Sequence, residues 1–188
     1  MEKVKILDVF VSVTTYNEII FDIKNAIKNN KKYLIMAINP KKIMLARENK
    51  QLKQALDNST CSIPDGYQIV KSCDKIKSRI TGIDLMQKIC KEHKKVGAKI
   101  FLYGASSESV KLAKQKLKEK YSGIKIVDYI DGYQKDDIVI DKINKSKANI
   151  VFVALQVVLS FFLRKTVVHA AFLEFLCIWL FSMSIILL

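Results

Sequence analysis

Residues 99–108 read KIFLYGASSE, an apolar run that meets a glycine and then small hydroxyl residues. A continuous apolar run such as Ile100 to Tyr103 is typical of a strand that is buried on both faces of a sheet. The segment from Ser109 to Tyr121 is amphipathic and predicts a helix. A buried strand that turns directly into an amphipathic helix is the repeating unit of parallel sheets, so this stretch predicts an α/β protein.

The same alternation extends to both sides of this stretch. The predicted strands are residues 4–13 (a strand or hairpin region), 33–38, 99–103, 124–129 and 148–155. The predicted helices are residues 15–29, 41–56, a short stretch from 67, 82–96, 109–121 and 136–145. Because the chain shows no internal repeat and no low-complexity linker, we expect a single α/β domain with a mostly parallel sheet flanked by helices.

Charge is distributed unevenly along the 188 residues. Half of the chain is hydrophobic and 27% is charged, which excludes intrinsic disorder of the whole. Residues 1–150 hold 30 of the 32 Lys and Arg and 17 of the 18 Asp and Glu. The chain is therefore a basic body, residues 1–155, followed by an apolar C-terminal segment, residues 156–188. Collagen, a coiled coil and a polytopic membrane protein are excluded.

The net charge of +14 and the isoelectric point near 9.6 indicate an anionic partner. A membrane surface, a phosphate-bearing substrate or a merely solvated lysine-rich surface would each account for this charge. Nucleic acid is not expected, because Lys greatly outnumbers Arg, the usual base-reading residue. Scattered cysteines without CxxC spacing suit a reducing cytoplasm, and the N-terminus lacks the apolar run typical of a secretory signal.

The apolar C-terminal segment has three interpretations. Val167 to Leu188 is long enough for a membrane-spanning helix, and the preceding Arg164-Lys165 pair favours the cytoplasmic side. Glu174 opposes a span, because a charge near the bilayer centre costs about 2.5–3.5 kcal/mol on insertion scales. Peripheral membrane contact and packing into the core as sheet and helix are the alternatives. We expect membrane contact of some kind.

Two polar residues follow predicted strands or short apolar segments, where open α/β sheets bind their ligands. Asn39, ahead of Pro40, suits sugar hydroxyls but equally suits the N-cap of the next helix. Asp65 lies between a proline and a glycine, on the kind of rigid turn that a general base needs. Pro-Asp-Gly is also an ordinary turn sequence, so both interpretations stay open at this point.

A second group of candidates could bind an anion. Gly104, Ala105, Ser106 and Ser107 join a buried strand to a helix N-terminus, where backbone N–H groups and the helix dipole favour negative charge. Helix capping by the serines would explain the same residues. Arg79 is a candidate for a diphosphate, with an ordinary surface arginine as the alternative. The sequence has no DxD triplet, so no divalent ion is expected in catalysis. We expect no other cofactor either.

Six segments together resemble the WecG/TagA/CpsF glycosyltransferases, glycosyltransferase family 26. They occur in the family's order across roughly residues 5–155, and the likeness is greatest to the N-acetylmannosaminyltransferases of teichoic acid linkage-unit synthesis. The segments are ILDVFVSVTTYNE (6–18), INPKKIMLARENKQLKQAL (38–56), IPDGYQIV (63–70), RITGIDLM (79–86), IFLYGASSESV (100–110) and IDGY (130–133).

The resemblance implies a Rossmann-like fold in which residues 1–155 form the catalytic domain. It implies an inverting, metal-independent transfer of N-acetylmannosamine from its UDP donor. The acceptor would be the 4-hydroxyl of N-acetylglucosamine on undecaprenyl diphosphate. Such an enzyme is expected at the cytoplasmic face of the cell membrane, and assembly into a homo-oligomer that completes the site stays open.

The resemblance also implies residue roles. Asp65 falls on the aspartate of the family's PDG motif and would be the catalytic base, and Asn39 falls on an asparagine beside the sugar. Arg79 matches the arginine before the TG-x-DLM segment and is a candidate for the donor diphosphate. The turn Gly104-Ala105-Ser106-Ser107 matches the family's glycine-rich turn and would cradle nucleotide or phosphate.

Two departures from the family pattern bear on activity. Ala37 stands where the family has a threonine, which removes a hydroxyl. After Leu155 the chain lacks the family's G-x-P-K-Q-E-like segment, the GVGG segment and the basic C-terminal appendage, and Gln156 is not safely equivalent to the family's glutamine. The alternative function is therefore a catalytically incompetent module that binds a nucleotide sugar or a membrane.

Overall fold

The computed structural model describes residues 1–154 and 184–187. The strands are β1 Lys3–Ile6, β2 Val9–Ser12, β3 Tyr33–Ile38, β4 Cys61–Pro64, β5 Lys99–Gly104, β6 Lys125–Ile130, β7 Ile150–Ala154 and β8 Ser184–Leu187. The helices are α1 Tyr16–Lys28, α2 Pro40–Glu48, α3 Lys50–Asp57, α4 Tyr67–Lys71, α5 Gly82–Lys91, α6 His93–Val96, α7 Ser107–Lys120 and α8 Asp136–Ser146. The predicted α/β fold with helices between strands is confirmed.

The main sheet has six strands in the order β4-β3-β8-β7-β5-β6. Strand β3 pairs parallel with β4, and β5 pairs parallel with β6 and β7. Strand β8 runs antiparallel to both β3 and β7, so the other five strands all point the same way. Their carboxyl ends therefore meet at one edge of the sheet, which confirms the prediction of a mostly parallel sheet.

Both faces of the main sheet are covered by apolar packing, as the continuous apolar strands predicted. Along β3, Ile35 and Ala37 pack in one core cluster while Met36 and Ile38 pack in another. This alternation follows from the two-residue period of a strand. Strands β1 and β2 form a separate antiparallel hairpin, the predicted strand or hairpin region, which is tied to β4 by a bond from Ser62 N to Ser12 Oγ (3.0 Å).

Some predicted helix boundaries were wrong. The helix expected over residues 41–56 is two helices, because Asn49 adopts an extended conformation between them and its side chain caps α3 through Leu52 N. The helix expected over residues 82–96 is likewise divided at Glu92 into α5 and α6. Helix α7 starts at Ser107 instead of Ser109, and its Leu112 is 53% exposed although the helix is amphipathic.

Four residues of the apolar C-terminal segment lie inside the main sheet. Ser184–Leu187 pair with β3 on one side and β7 on the other, and Ile185 and Leu187 belong to a core cluster. For these four residues the interpretation as part of the sheet is confirmed, and residues 185–187 are buried. The rest of the segment proposed to span the membrane, residues 167–183 and Leu188, lies outside the described residues. Within residues 1–154 and 184–187, no helix has the length and apolarity needed to cross a membrane.

Candidate active site

The predicted site residues lie at the carboxyl edge of the parallel strands, in two groups. Asn39 follows β3 and Asp65 follows the neighbouring β4, and Arg79 contacts Asp65. The Gly104 turn, residues 104–107, follows β5, three strands away from β3 and thus about 14 Å away at a spacing of about 4.8 Å per strand. The edge of the sheet therefore carries an acidic and basic cluster on one side and a small-residue turn on the other.

Asp65 is held firmly at the end of β4. Its backbone N–H donates to Ile38 O (2.9 Å), which continues the pairing of β3 with β4 beyond Pro64. A Cβ on the following residue, Gly66, would lie 3.0 Å from Pro40 Cδ, so the two strand-end loops pack tightly together. The Asp65 residue is only 7% exposed. This carboxylate is therefore fixed and largely desolvated.

Arg79 forms two hydrogen bonds to the same residue. Its Nε donates to the Asp65 backbone O (2.6 Å) and its Nη2 donates to Asp65 Oδ1 (3.3 Å). Its guanidinium carbon lies 5.3 Å from the centre of the Tyr67 ring, and Ile80 N donates to Pro64 O (2.9 Å), which anchors the segment. The Arg79 side chain is 41% exposed. It can therefore hold Asp65 and still present charge to a bound anion.

Opposing effects act on the protonation of Asp65. Burial raises the pKa of this carboxyl, and it outweighs the Arg79 guanidinium and the Lys42 ammonium, which both lower it. The negative charge of Asp84 adds a smaller upward effect on the same pKa. The outcome is a carboxyl that is more basic than an exposed aspartate, as suits a group that must accept a proton.

Lys42 is a residue at this site that the sequence interpretation missed. It is 3% exposed, and its Nζ donates to Ala37 O (2.7 Å) at the end of β3. Burial lowers the pKa of Lys42 to about 8, while the Asp65 carboxylate acts in the opposite direction. Nothing in the sequence distinguishes Lys42 from the adjacent Lys41, which is exposed. Only the helix rotation set by Asn39 and Pro40 separates the two.

Asn39 is the N-cap of α2, as one of its two interpretations predicted. Its Oδ1 accepts a hydrogen bond from Lys42 N (2.9 Å), with Pro40 at the first position of α2. Its side chain nonetheless lies at the edge that carries Asp65. Ala37, the replacement for the family threonine, is fully buried and packs in the core.

The structure explains why the Gly104 turn needs a glycine at its first position. Gly104 has φ +125°, and a Cβ there would overlap the carbonyl oxygen of Ala154, because the turn packs directly on the end of β7. Ala105 N donates to that same oxygen (3.0 Å), and Ser106 Oγ accepts from Ser109 N (3.2 Å) as the N-cap of α7. Helix capping by Ser106 is therefore observed, and an anion-binding role for the turn stays a prediction.

In the part of the chain that the structure describes, no three His, Cys, Asp or Glu side chains come together in a way that could hold a metal ion. We call Asn39, Lys42, Asp65 and Arg79 the Asp65 cluster. It contains one carboxylate, Asp65, and two cations, Arg79 and Lys42, that both lower the pKa of this carboxyl. That arrangement can bind an anion and accept a proton from a neighbouring hydroxyl.

Comparison with known proteins finds relatives that share one name and one family. The chain is 32% identical over 127 residues to an N-acetylglucosaminyldiphosphoundecaprenol N-acetyl-beta-D-mannosaminyltransferase of Bacillus subtilis, covering 65% of this chain and 50% of the relative. A Staphylococcus aureus protein with the same name is 28% identical over 162 residues, covering 81% of this chain and 63% of that relative. The chain thus spans between half and two thirds of the length of these curated relatives. Residues 4–158 match the glycosyl transferase WecG/TagA/CpsF family, and the chain belongs to that family.

Proposed function

We propose that this chain is an inverting glycosyltransferase that moves N-acetylmannosamine from UDP-N-acetylmannosamine to the 4-hydroxyl of N-acetylglucosamine-diphospho-undecaprenol, in teichoic acid synthesis. The observation that carries the proposal is the buried Asp65 carboxylate at a strand end, fixed by Ile38 and Arg79. Family membership and the names of the relatives support the substrates.

In the proposed reaction Asp65 takes the proton of the acceptor 4-hydroxyl. The oxygen attacks the anomeric carbon of the donor sugar from the face opposite UDP, the bond from that carbon to the phosphate oxygen breaks, and UDP leaves with the electron pair. The configuration inverts because attack and departure occur on opposite faces. The raised pKa of Asp65 supports this role, since a base works best when its pKa approaches the working pH.

The leaving UDP carries charge that the protein must stabilise. Arg79 is the candidate for the diphosphate, and its 41% exposed side chain supports this assignment. Asn39 would lie beside the sugar, and the Gly104-Ala105-Ser106-Ser107 turn would cradle nucleotide or phosphate through the N-terminus of α7. No metal ion or cofactor takes part in this proposal.

We propose that the enzyme works at the inner face of the cell membrane, where it would meet its lipid-linked acceptor. The net charge of +14 supports attraction to an anionic membrane surface.

The test is UDP release by the full chain, measured with UDP-N-acetylmannosamine in the presence and absence of a lipid-diphosphate N-acetylglucosamine acceptor, with the disaccharide product identified by mass spectrometry. Acceptor-dependent release that persists in EDTA supports the proposal. Binding of UDP-sugar without any transfer would favour the alternative of a binding module without catalysis, which rests on the departure from the family pattern after Leu155. Activity that requires Mn²⁺ or Mg²⁺ would contradict the metal-free mechanism.

A further inference from the structure

Resting on the glycosyltransferase proposal above, we propose that Tyr67 is a positioning residue for Arg79. Its ring holds the guanidinium in the orientation in which Arg79 meets the donor diphosphate. Tyr67 is the first residue of helix α4 and comes directly after Gly66. It therefore lies two positions after the proposed base, Asp65, on the same loop at the end of β4.

The exposure of Tyr67 indicates that folding depends little on its ring. Tyr67 is 65% exposed, and a side chain gains hydrophobic stabilisation only for the area that it removes from water. Ile69, two residues later, is 2% exposed and packs in a core cluster with Leu52 and Leu56. Because Ile69 attaches α4 to the body of the protein, the Tyr67 side chain can be changed without loss of the fold.

The Tyr67 ring contacts the charged group of Arg79. The guanidinium carbon of Arg79 lies 5.3 Å from the centre of the ring, within the roughly 6 Å over which an aromatic ring attracts a cation. The attraction becomes stronger when water is removed from around the pair. A substrate that covers the site would have that effect.

Asp65 fixes Arg79 along one edge only. Arg79 Nε donates to the Asp65 backbone O (2.6 Å) and Nη2 donates to Asp65 Oδ1 (3.3 Å), so both bonds use the edge formed by Nε and Nη2. Two bonds along one edge still allow the guanidinium plane to tilt, and the second bond is long for an N–H···O hydrogen bond. Surrounding packing restricts this motion little, since the Arg79 side chain is 41% exposed. The contact with Tyr67 is what limits the tilt.

A fixed guanidinium plane matters for phosphate binding. The two bonds to Asp65 use two of the five N–H groups of the guanidinium, and the end that carries Nη1 is directed by the remaining orientation of the plane. Bidentate recognition of phosphate by arginine depends on this orientation as well as on charge. Tyr67 thus lowers the entropic cost of binding the donor, because Arg79 is already oriented before the donor arrives.

The first test measures the affinity for UDP alone by calorimetry, so it needs no transferase activity. Tyr67→Leu is expected to weaken UDP binding on the order of threefold to tenfold, because the cation has lost its aromatic partner. Tyr67→Phe should bind UDP almost as tightly as the unaltered chain, since it keeps the ring. Phe21→Leu, which removes an aromatic side chain that is 64% exposed on α1, is the matched control and should change nothing. Full affinity in Tyr67→Leu, or an equal loss in Tyr67→Phe, would overturn the proposal.

A double-variant cycle asks whether Tyr67 acts through Arg79. In chains that already carry Arg79→Ala, Tyr67→Leu should cause no further loss of UDP affinity, because the residue that Tyr67 orients is gone. Circular dichroism checks that each variant is folded. A further loss of the same size would show that Tyr67 contacts UDP by itself and would overturn the positioning role.

The second test observes Arg79 directly and needs no ligand. The chain has three arginines, so nitrogen-15 labelling of arginine gives few Nε signals, and Arg79→Lys assigns the one required. Exchange of the Arg79 Nε proton with water should be faster in Tyr67→Leu and unchanged in Tyr67→Phe. Unchanged exchange in Tyr67→Leu would overturn the Tyr67 proposal. Faster exchange in Tyr67→Leu, together with no UDP binding even by the unaltered chain, would count against the proposed function alone.

Discussion

Asp65 is constrained through both its backbone and its side chain, and each constraint has a chemical consequence. The bond from its N–H to Ile38 O fixes the position of the residue at the sheet edge, and the bond from Arg79 to Oδ1 orients the carboxylate. Burial makes the group more basic than an ordinary aspartate by raising its pKa. An immobile carboxylate with raised basicity can take a proton from a correctly bound hydroxyl without first reorganising.

Asp65→Asn is expected to lower turnover by on the order of 10²–10⁴-fold while leaving UDP binding in place, because the amide is nearly isosteric but cannot accept the proton. Turnover is measured by UDP release, donor binding by calorimetry and folding by circular dichroism. Retention of most of the activity in a folded variant would contradict the assignment of the base.

Arg79→Ala is expected to weaken donor binding and also to lower turnover, since the guanidinium contacts Asp65 and is exposed toward the proposed diphosphate site. Thermal stability should fall as well, because the variant loses both hydrogen bonds to the largely buried Asp65. The matched control is Arg47→Ala, which removes an exposed arginine paired with Asp8 at 3.3 Å, away from the strand end. Unchanged donor affinity in Arg79→Ala would return this residue to a surface role.

The elements around the site differ in how far local sequence specifies them. Helix α1 begins as predicted, because Thr15 and Glu18 form a capping box within three residues of each other. The end of α2 was missed, because Asn49 lies within a stretch whose composition favours one continuous helix. Its backbone becomes extended only where α3 turns to bury Leu52 and Leu56 against the core. That choice depends on packing between distant segments.

In the candidate site too, some features are set by local sequence and others by packing between distant segments. Asp65 and the Gly104 turn could be predicted because strand ends and turn residues are visible in the sequence. The contact between Arg79 and Asp65 could not, since the two residues are 14 positions apart and meet through the path of the loop before α5. The burial of Lys42 was equally invisible, because it depends on the rotation of α2 against the sheet. Motifs therefore identified separate residues, and the fold determined which of them interact.

Gly104 provides a prediction about the turn itself. Gly104→Ala is expected to destabilise the fold by more than about 2 kcal/mol, since the added Cβ would overlap Ala154 O and φ is +125°. Gly97→Ala is the matched control: φ there is +72°, but no atom lies within 4 Å of the added Cβ, so only the strain of about 1 kcal/mol applies. Urea denaturation of both variants measures the difference. Equal destabilisation would show that the close approach to β7 is unimportant.

The main sheet as a whole depends on β8, which joins the β4-β3 pair to the β7-β5-β6 group. Ile185 is fully buried in the core cluster, so Ile185→Ala should lower the free energy of unfolding by about 2–4 kcal/mol. Leu112→Ala removes a side chain of similar size that is 53% exposed, and it should cost far less. Similar costs for the two variants, measured by chemical denaturation, would argue against β8 as a central strand.

The position of β8 also affects whether the protein could span a membrane or attach to its surface. With residues 184–187 in the sheet, the apolar run that precedes them, from Val167 to Met183, is shorter than the roughly 20 residues that a spanning helix needs. Glu174 lies near the middle of that run and adds an insertion cost of about 2.5–3.5 kcal/mol. A peripheral attachment driven by the net charge of +14 faces neither obstacle, although salt would screen it.

We therefore expect the full chain to bind vesicles that contain anionic lipid and to leave them when the salt concentration is raised to about 1 M, where screening extends only about 3 Å. Neutral vesicles serve as the control and should retain much less protein. Fractionation of cell membranes tests the same point, with release by high salt or by carbonate expected. Protein that only detergent extracts would establish a spanning segment and would contradict the peripheral attachment.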